Sequence, residues 1–221
     1  MTLAAEPLIE WEWVVSHQGE ILMRLGEHLT LTAIAVGIGL LVSLPLGVAC
    51  FRVKKLYPPV TWVTGLLYTV PSLALFAFLV PYTGLTTLTA EIGLVSYTLL
   101  ILIRNIVEGL GSVPAETKEA ARGMGLSRRQ ILWKVELPLA LPVILAGIRI
   151  ATVTTIGLVT VTALIGKGGL GYFILQGLRR FFSTSIFVGA LLSVAVAMGA
   201  DGLLLLVQRF FTPWSRRRMT G

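Results

Sequence analysis

Residues 119–138 read Glu119-Ala-Ala-Arg-Gly-Met-Gly125-Leu-Ser-Arg-Arg-Gln-Ile131-Leu-Trp-Lys-Val-Glu-Leu-Pro138. They lie in the longest polar interval between hydrophobic segments, roughly 108–138, and they are strongly basic. The order of residues predicts two short helices. Pro114 suits a first helical turn, where its missing N–H would have no partner anyway. Glu116 and Glu119 come early, where the helix dipole favours acids. Gly125 can end that helix in a left-handed conformation. Ser127 and Gln130 have capping-box spacing, so a second helix is expected from Ser127. It is expected to stop near Leu137, because Pro138 and Pro142 interrupt the backbone ladder.

On either side of this interval the chain is apolar. Of 221 residues, 55% are hydrophobic and 13% charged, too few charges to cover the surface of a soluble domain of this size. Five stretches are long enough for the ~20 residues of a membrane-spanning helix: 29–51, 59–80, 86–107, 139–165 and 186–208. The fold expected is an all-α membrane protein of about five spans. No span-sized repeat is visible, so one chain is expected to supply half of a pathway. Cys50 is the single cysteine, which rules out an intrachain disulfide or a cysteine metal cluster. Met1 to Glu20 has no basic leader and no small-residue cleavage site, so no signal peptide is expected there.

The basic residues set the orientation. With the N-terminus outside, the inner segments hold Arg52, Lys54, Lys55, Arg104, Lys118, Arg122, Arg128, Arg129, Lys134, Arg209 and Arg216 to Arg218, thirteen of the eighteen Lys and Arg. The outer segments hold Arg24, Lys167, Arg179 and Arg180, together with the acids Glu6, Glu10, Glu12, Glu20 and Glu27. The 108–138 loop is therefore cytoplasmic. Residues 1–28, with Trp11, Trp13, Val14, Ile21, Leu22 and Leu25, are expected to form an external helix lying at the membrane surface, indole rings at the headgroups.

The spacing Glu119-Ala120-Ala121, three residues, Gly125, nine residues, Val135, one residue, Leu137-Pro138 resembles the signature of ABC-importer permeases; Val135 stands where the pattern usually has Ile. The resemblance extends over about 29–213. Val70-Pro-Ser-Leu-Ala-Leu75, Glu136-Leu-Pro-Leu-Ala-Leu-Pro-Val-Ile-Leu-Ala-Gly-Ile-Arg149, Leu164-Ile-Gly-Lys-Gly-Gly-Leu-Gly171 and Gln208-Arg-Phe-Phe-Thr-Pro213 look like the osmoprotectant branch, which imports glycine betaine, choline and carnitine. Methionine importers share the short layout and are the alternative. The resemblance implies a permease domain over 29–212, a basic cytoplasmic tail over 213–221, and a place in the bacterial cytoplasmic membrane. It implies two ATPase subunits, a second permease chain (the same or a paralogue), an external binding protein, and no cofactor. It also implies that Glu119, Ala120, Ala121, Gly125 and Pro138 form the ATPase-coupling loop, with Ala120 and Ala121 as a small face that a partner can approach.

Rival readings lack context. Ala121, Gly125 and Ile131 approximate a DNA-binding helix-turn-helix, but both ends are pinned to spans and no third helix completes a domain, so no nucleic-acid partner is expected. Gly166-Lys-Gly-Gly-Leu-Gly171 satisfies a dinucleotide fingerprint without the strand it requires, and reads as a tight outer turn. No metal cluster, triad or paired carboxylate occurs; His17 and His28 sit near the outer surface with no evident partner, and an enzyme is not expected. A passive channel or a membrane scaffold is the competitor from another class, and only the loop motif speaks against it.

Within the spans, Arg149 and Asp201 are the costly residues. Counted from the inner ends at 1.5 Å per residue, they lie at similar depths of ~15 and ~12 Å, so an ion pair fixing the fourth span to the fifth is expected. Thr152, Thr155 and Thr162 fall near one helix face and are candidates for close packing or for a weakly polar pathway lining. Glu91 and Arg104 are expected to snorkel from span ends.

Overall fold

The computed structural model describes residues 9–214. The first eight residues and the basic tail with Arg216 to Arg218 lie outside them. Every element among the described residues is helical. In order these are α1 (Trp11–Ser16), α2 (Gln18–Arg52), α3 (Tyr57–Thr69), α4 (Ser72–Thr83), α5 (Thr87–Gly111), α6 (Ala115–Gly123), α7 (Arg128–Ile131), α8 (Leu137–Val161), α9 (Gly171–Arg180) and α10 (Ser183–Phe211). Four helical runs are long and apolar enough to cross a membrane: Gln18–Arg52, Thr87–Gly111, Arg128–Ile165 and Ser183–Phe211. Counting α3 and α4 as one broken span gives five.

The expected 59–80 span is not one helix. Pro71 disfavours the helical conformation at the residue before it, and Val70 is extended (φ −63°, ψ 128°). At 13 and 12 residues, neither α3 nor α4 can span alone. The carbonyl that the break frees at Val70 accepts a hydrogen bond from the Tyr97 hydroxyl.

α2 begins at Gln18 and runs unbroken past residue 28 to Arg52. Ahead of it, α1 has only six residues and carries Trp13. Its indole stacks on His17 (ring centroids 4.2 Å apart) and meets Phe173 and Phe182 edge-on at 6.0 and 5.4 Å. Trp11 is exposed.

Pro138 also does not end the helix before it. A π turn, Leu132–Glu136, links α7 to α8, so helix is continuous from Arg128 to Ile165. The wide turn lies immediately before a proline that cannot donate to the carbonyl four residues back, which is where a local change of pitch accommodates it.

The helices group into two units. The first contains, of the described residues, 9–35, 71–94 and 154–199. Its core holds Phe76, Leu94, Ile156, Leu170, Phe173 and His28, all essentially inaccessible. His28 departs most from the sequence reading. Its Nδ1 accepts from the Leu170 N–H at 3.3 Å, which leaves Nε2 as the donor to the Ile156 carbonyl at 3.1 Å. Gly169 (φ 45°) lies so close that a Cβ there would come within 2.8 Å of the His28 backbone. This bonding requires a neutral ring, since a protonated Nδ1 would face another donor. Replacing His28 by Ala is expected to leave the Leu170 N–H buried and unpaired. The cost is about 1–3 kcal/mol, checked by thermal unfolding of the detergent-solubilised protein; an unchanged midpoint contradicts it.

Glu91 also differs. It is 8% exposed and neither carboxylate oxygen has a hydrogen-bond partner among the described residues. It shares the buried face of α5 with Leu94 and Thr98, three and seven residues on, so it points inward and does not snorkel. Arg104 is exposed, as expected.

The second unit contains, of the described residues, 36–70, 95–153 and 200–214. Its core is Ile106, Leu110, Ala140 and Ile144, with Leu44, Val48, Phe51, Leu132, Leu137 and Ile148 packed around them. Three helices meet there, α2, α5 and α8, and glycines let them approach. A Cβ on Gly47 would lie 2.7 Å from Ile106, and one on Gly147 2.4 Å from Asn105. Small residues at crossings are how membrane helices gain packing without a hydrophobic drive between them.

Candidate functional site

The segment Ala115–Glu136 belongs wholly to the second unit and forms the two short helices the sequence predicts. Pro114 is the cap of α6 (φ −56°, ψ 141°), one residue before the position expected of it. Glu116 stands in the first turn and Arg122 in the last, both favourable to the dipole. The helix ends in a Schellman turn: the Leu126 N–H donates to the Ala121 carbonyl (3.2 Å) and the Gly125 N–H to the Arg122 carbonyl (2.9 Å). Gly125 holds the left-handed position this turn requires (φ 81°) and faces open space. Ser127 and Gln130 make both bonds of the capping box that starts α7, at 2.8 and 3.3 Å.

The exposed surface of this loop differs from the expected one. Ala121 is buried inside its own chain at 1% exposure, because it packs where the turn folds back. Exposed on this helix and its closing turn are Glu116, Glu119, Ala120, Arg122, Gly123, Met124 and Gly125. Met124 is 73% exposed, a flexible apolar side chain at the apex of a basic loop.

Two features hold the loop to the spans, and the sequence reading missed both. Glu136 is 2% exposed and accepts from Arg52 Nη2 at 2.6 Å, tying the end of α2 to the π turn. Lys118 lies 5.8 Å over the Phe51 ring. The one available signal was an acid, Glu136, set between Val135 and Leu137 just before Pro138. Arg52, Glu136, Arg122 and Arg128 line a cavity of about 710 Å³ beside α6. Replacing Arg52 by Gln is expected to strand the Glu136 carboxylate. With Arg52 itself one-third exposed, the loss is about 1–3 kcal/mol. Limited proteolysis of the loop should accelerate, and an unchanged cleavage rate contradicts the tie.

Deeper in the same unit, Arg149 and Asp201 form a two-pronged pair, Nε to Oδ1 at 2.9 Å and Nη2 to Oδ2 at 2.8 Å. Gln208 extends it: its Oε1 accepts from Arg149 Nη1 at 3.3 Å and its Nε2 donates to the Pro142 carbonyl at 3.0 Å. Thus α8 and α10 are bridged at two levels, by the Arg149 side chain and the Pro142 carbonyl of α8 and the Asp201 and Gln208 side chains of α10.

Two of the three threonines, Thr152 and Thr162, bond to nearby backbone carbonyls. Thr152 donates to the Ile148 carbonyl (2.8 Å), which satisfies its hydroxyl within its own helix. Thr155 is buried at 1%. Thr162, also buried, bonds to the carbonyls of Val159 and Lys167, both at 2.8 Å, and so holds the Gly166–Gly169 turn. Among the described residues no group of three or more His, Cys, Asp or Glu could hold a metal ion.

The family model described as "Binding-protein-dependent transport system inner membrane component" matches residues 35–217. The chain is 36% identical to the choline transport system permease protein OpuBB of Bacillus subtilis, covering 94% of this chain and 96% of that one. It is 38% identical to the osmoprotectant import permease protein OsmW of Salmonella typhimurium, covering 91% and 96%. It is also 38% identical to the glycine betaine/carnitine/choline transport system permease protein OpuCB of B. subtilis, covering 88% and 90%. Among solved structures, an inward-facing MetNI methionine ABC transporter matches with a TM-score of 0.78 at 25% identity, over 87% of this chain and 96% of that one. An amino-acid ABC transporter with histidines matches with a TM-score of 0.70 at 20% identity, covering 91% and 98%.

Proposed function

The chain belongs to the binding-protein-dependent transport system inner membrane components, the permease subunits of ABC importers, and from that premise we propose that it translocates a quaternary-amine osmoprotectant of the glycine betaine, choline or carnitine type. The observation that carries the substrate class is the likeness, over about nine-tenths of the chain, to permeases of choline, carnitine and osmoprotectant systems. The methionine reading rests on fold likeness to MetNI at lower identity, and is weaker for that reason.

In this reading the chain hydrolyses nothing. Two ATPase subunits serve the importer, and one grips the exposed side of α6, with Glu119, Ala120 and the Gly125 turn as the contact and Pro138 at the root of the loop. Ala121 supports that contact from beneath. Closure of the ATPases pulls on α6, and the Arg52–Glu136 pair and the packing of Leu132 and Leu137 pass the pull into α2 and α8. The Arg149–Asp201–Gln208 bridge makes α8 and α10 move as one piece. A second permease chain completes the pathway. It covers part of α10, whose most apolar window is only 6% buried within this chain, against 56% for α5. An external binding protein delivers the solute, and its own site sets most of the selectivity.

Uptake of radiolabelled glycine betaine into cells lacking their other osmoprotectant importers tests the substrate class. Uptake that depends on this chain and is competed by choline or carnitine, but not by methionine, supports it. Competition by methionine alone reverses the assignment.

A further inference from the structure

The outer face of a permease is where Lys and Arg should be sparse, yet one of the four basic residues assigned there, Arg24, packs on a tyrosine whose own helix ends in two more, Arg179 and Arg180. The Arg24 guanidinium lies 4.0 Å from the centre of the Tyr172 ring. Tyr172, Leu175, Gln176, Arg179 and Arg180 line a notch of about 230 Å³, with Gln176 Nε2 donating to the Tyr172 hydroxyl at 3.2 Å. Arg24 spends Nη1 on Glu27 at 2.9 Å, but its Nε is buried without a partner among the described residues. Arg179 and Arg180 are exposed, and neither makes a hydrogen bond or ion pair within the described residues. The dipole at the end of α9 explains an arginine or two in its last turn. It does not explain Arg24, which comes from α2.

The next residue adds an independent anomaly. Phe181 is the only non-glycine residue with positive φ among those described (φ 53°, ψ 38°), and it is 95% exposed. It occupies the left-handed position of a Schellman turn, closed by the Phe182 N–H on the Gly177 carbonyl at 2.9 Å, where glycine is favoured. A bulky side chain held in an unfavourable backbone well, and touching little of its own chain, is kept for a contact elsewhere.

We propose that this corner (Arg24, Tyr172, Arg179, Arg180 and Phe181) is a docking point for an acidic surface of the external binding protein. The proposal rests on the importer reading. Arginine and aromatic residues side by side are the composition of protein–protein hot spots. The corner is open, whereas a small quaternary amine is held by an enclosing aromatic cage. The family is defined by its dependence on a binding protein, which must meet this face.

The test uses the whole importer, with its ATPases, in nanodiscs, and titrates in the binding protein that supports its uptake while ATP hydrolysis is read. Two variants are compared, Arg179→Glu with Arg180→Glu, and Phe181→Gly. The second relieves the backbone while removing the ring, so misfolding cannot account for its effect. Both should keep the basal ATPase rate. Both should raise the binding-protein concentration for half-stimulation, the charge reversal by about tenfold or more, and the wild-type value should rise with salt. Unchanged half-stimulation in both variants overturns the docking point. So does a change that follows the anionic-lipid content of the nanodisc in place of binding-protein concentration, which makes the corner a lipid contact. A wild-type importer whose ATPase ignores every binding protein overturns the importer reading itself, and this proposal with it.

Discussion

Replacing Glu119 and Gly125 together by Arg is expected to reduce solute uptake to the background of cells lacking the chain, with normal abundance in the membrane. Glu119 is exposed on α6 and Gly125 faces open space, so neither substitution disturbs the packing of the spans. Their cost within the chain is confined to the turn. A non-glycine residue at φ 81° is unfavourable by about 1–2 kcal/mol, which loosens the end of α6 but leaves four long helices intact. Their cost at the ATPase contact is larger. Two bulky cations would stand where a small face meets a partner, beside Arg122, Arg128 and Arg129. The measurement pairs uptake with co-purification of the ATPase. Loss of both, with the chain present, is the expected result. Full uptake would remove this loop from the coupling mechanism.

The second large effect is expected at Asp201. Changing it to Asn leaves the Arg149 guanidinium without its charge partner and removes the two-pronged tie between α8 and α10. Both side chains are part-exposed within the single chain. Membrane abundance should fall several-fold, and the thermal midpoint of the purified protein with it. The charge-swapped pair, Arg149→Asp with Asp201→Arg, should recover part of the loss. If Asp201→Asn keeps normal abundance and stability but loses transport, the pair serves the solute and not the helix packing.

These two sites were legible in the sequence for different reasons. The loop carries its own punctuation: a proline, a glycine, and a Ser–Gln pair at capping distance each dictate local backbone geometry without help from the rest of the fold. Arg149 and Asp201 stand out because charge in an apolar run is costly, and equal depth leaves few possible partners. What escaped depends on tertiary context. The break at Val70-Pro71 hides in a run that is apolar on both sides, where hydropathy cannot tell one span from two half-length helices. His28 reads as an unremarkable residue near a span end, and only the approach of both Ile156 and the Gly166–Leu170 turn gives it partners on its two ring nitrogens. Ala121 reads as a contact residue by its place in the motif, but the Schellman turn folds over it. Pro138 reads as a helix stop, and the π turn before it absorbs the missing donor.

Exposure divides the long helices in a way that bears on assembly. The central helix, α5, buries more than half of its most apolar window within one chain, while α10 leaves Leu191, Val194, Met198, Leu203 and Leu206 uncovered. In the proposed assembly the second permease chain covers part of this surface, and lipid can cover the rest at no cost.

Whether the chain is an ATP-driven permease is decided by accumulation of radiolabelled glycine betaine in vesicles that contain the reconstituted importer, with its binding protein outside and ATP supplied on the ATPase side. Accumulation against the concentration gradient is expected, abolished when ATP is withheld or when Glu119 and Gly125 are replaced. Equilibration of the solute without ATP, at the same rate with the altered loop, would contradict it and make the chain a passive channel.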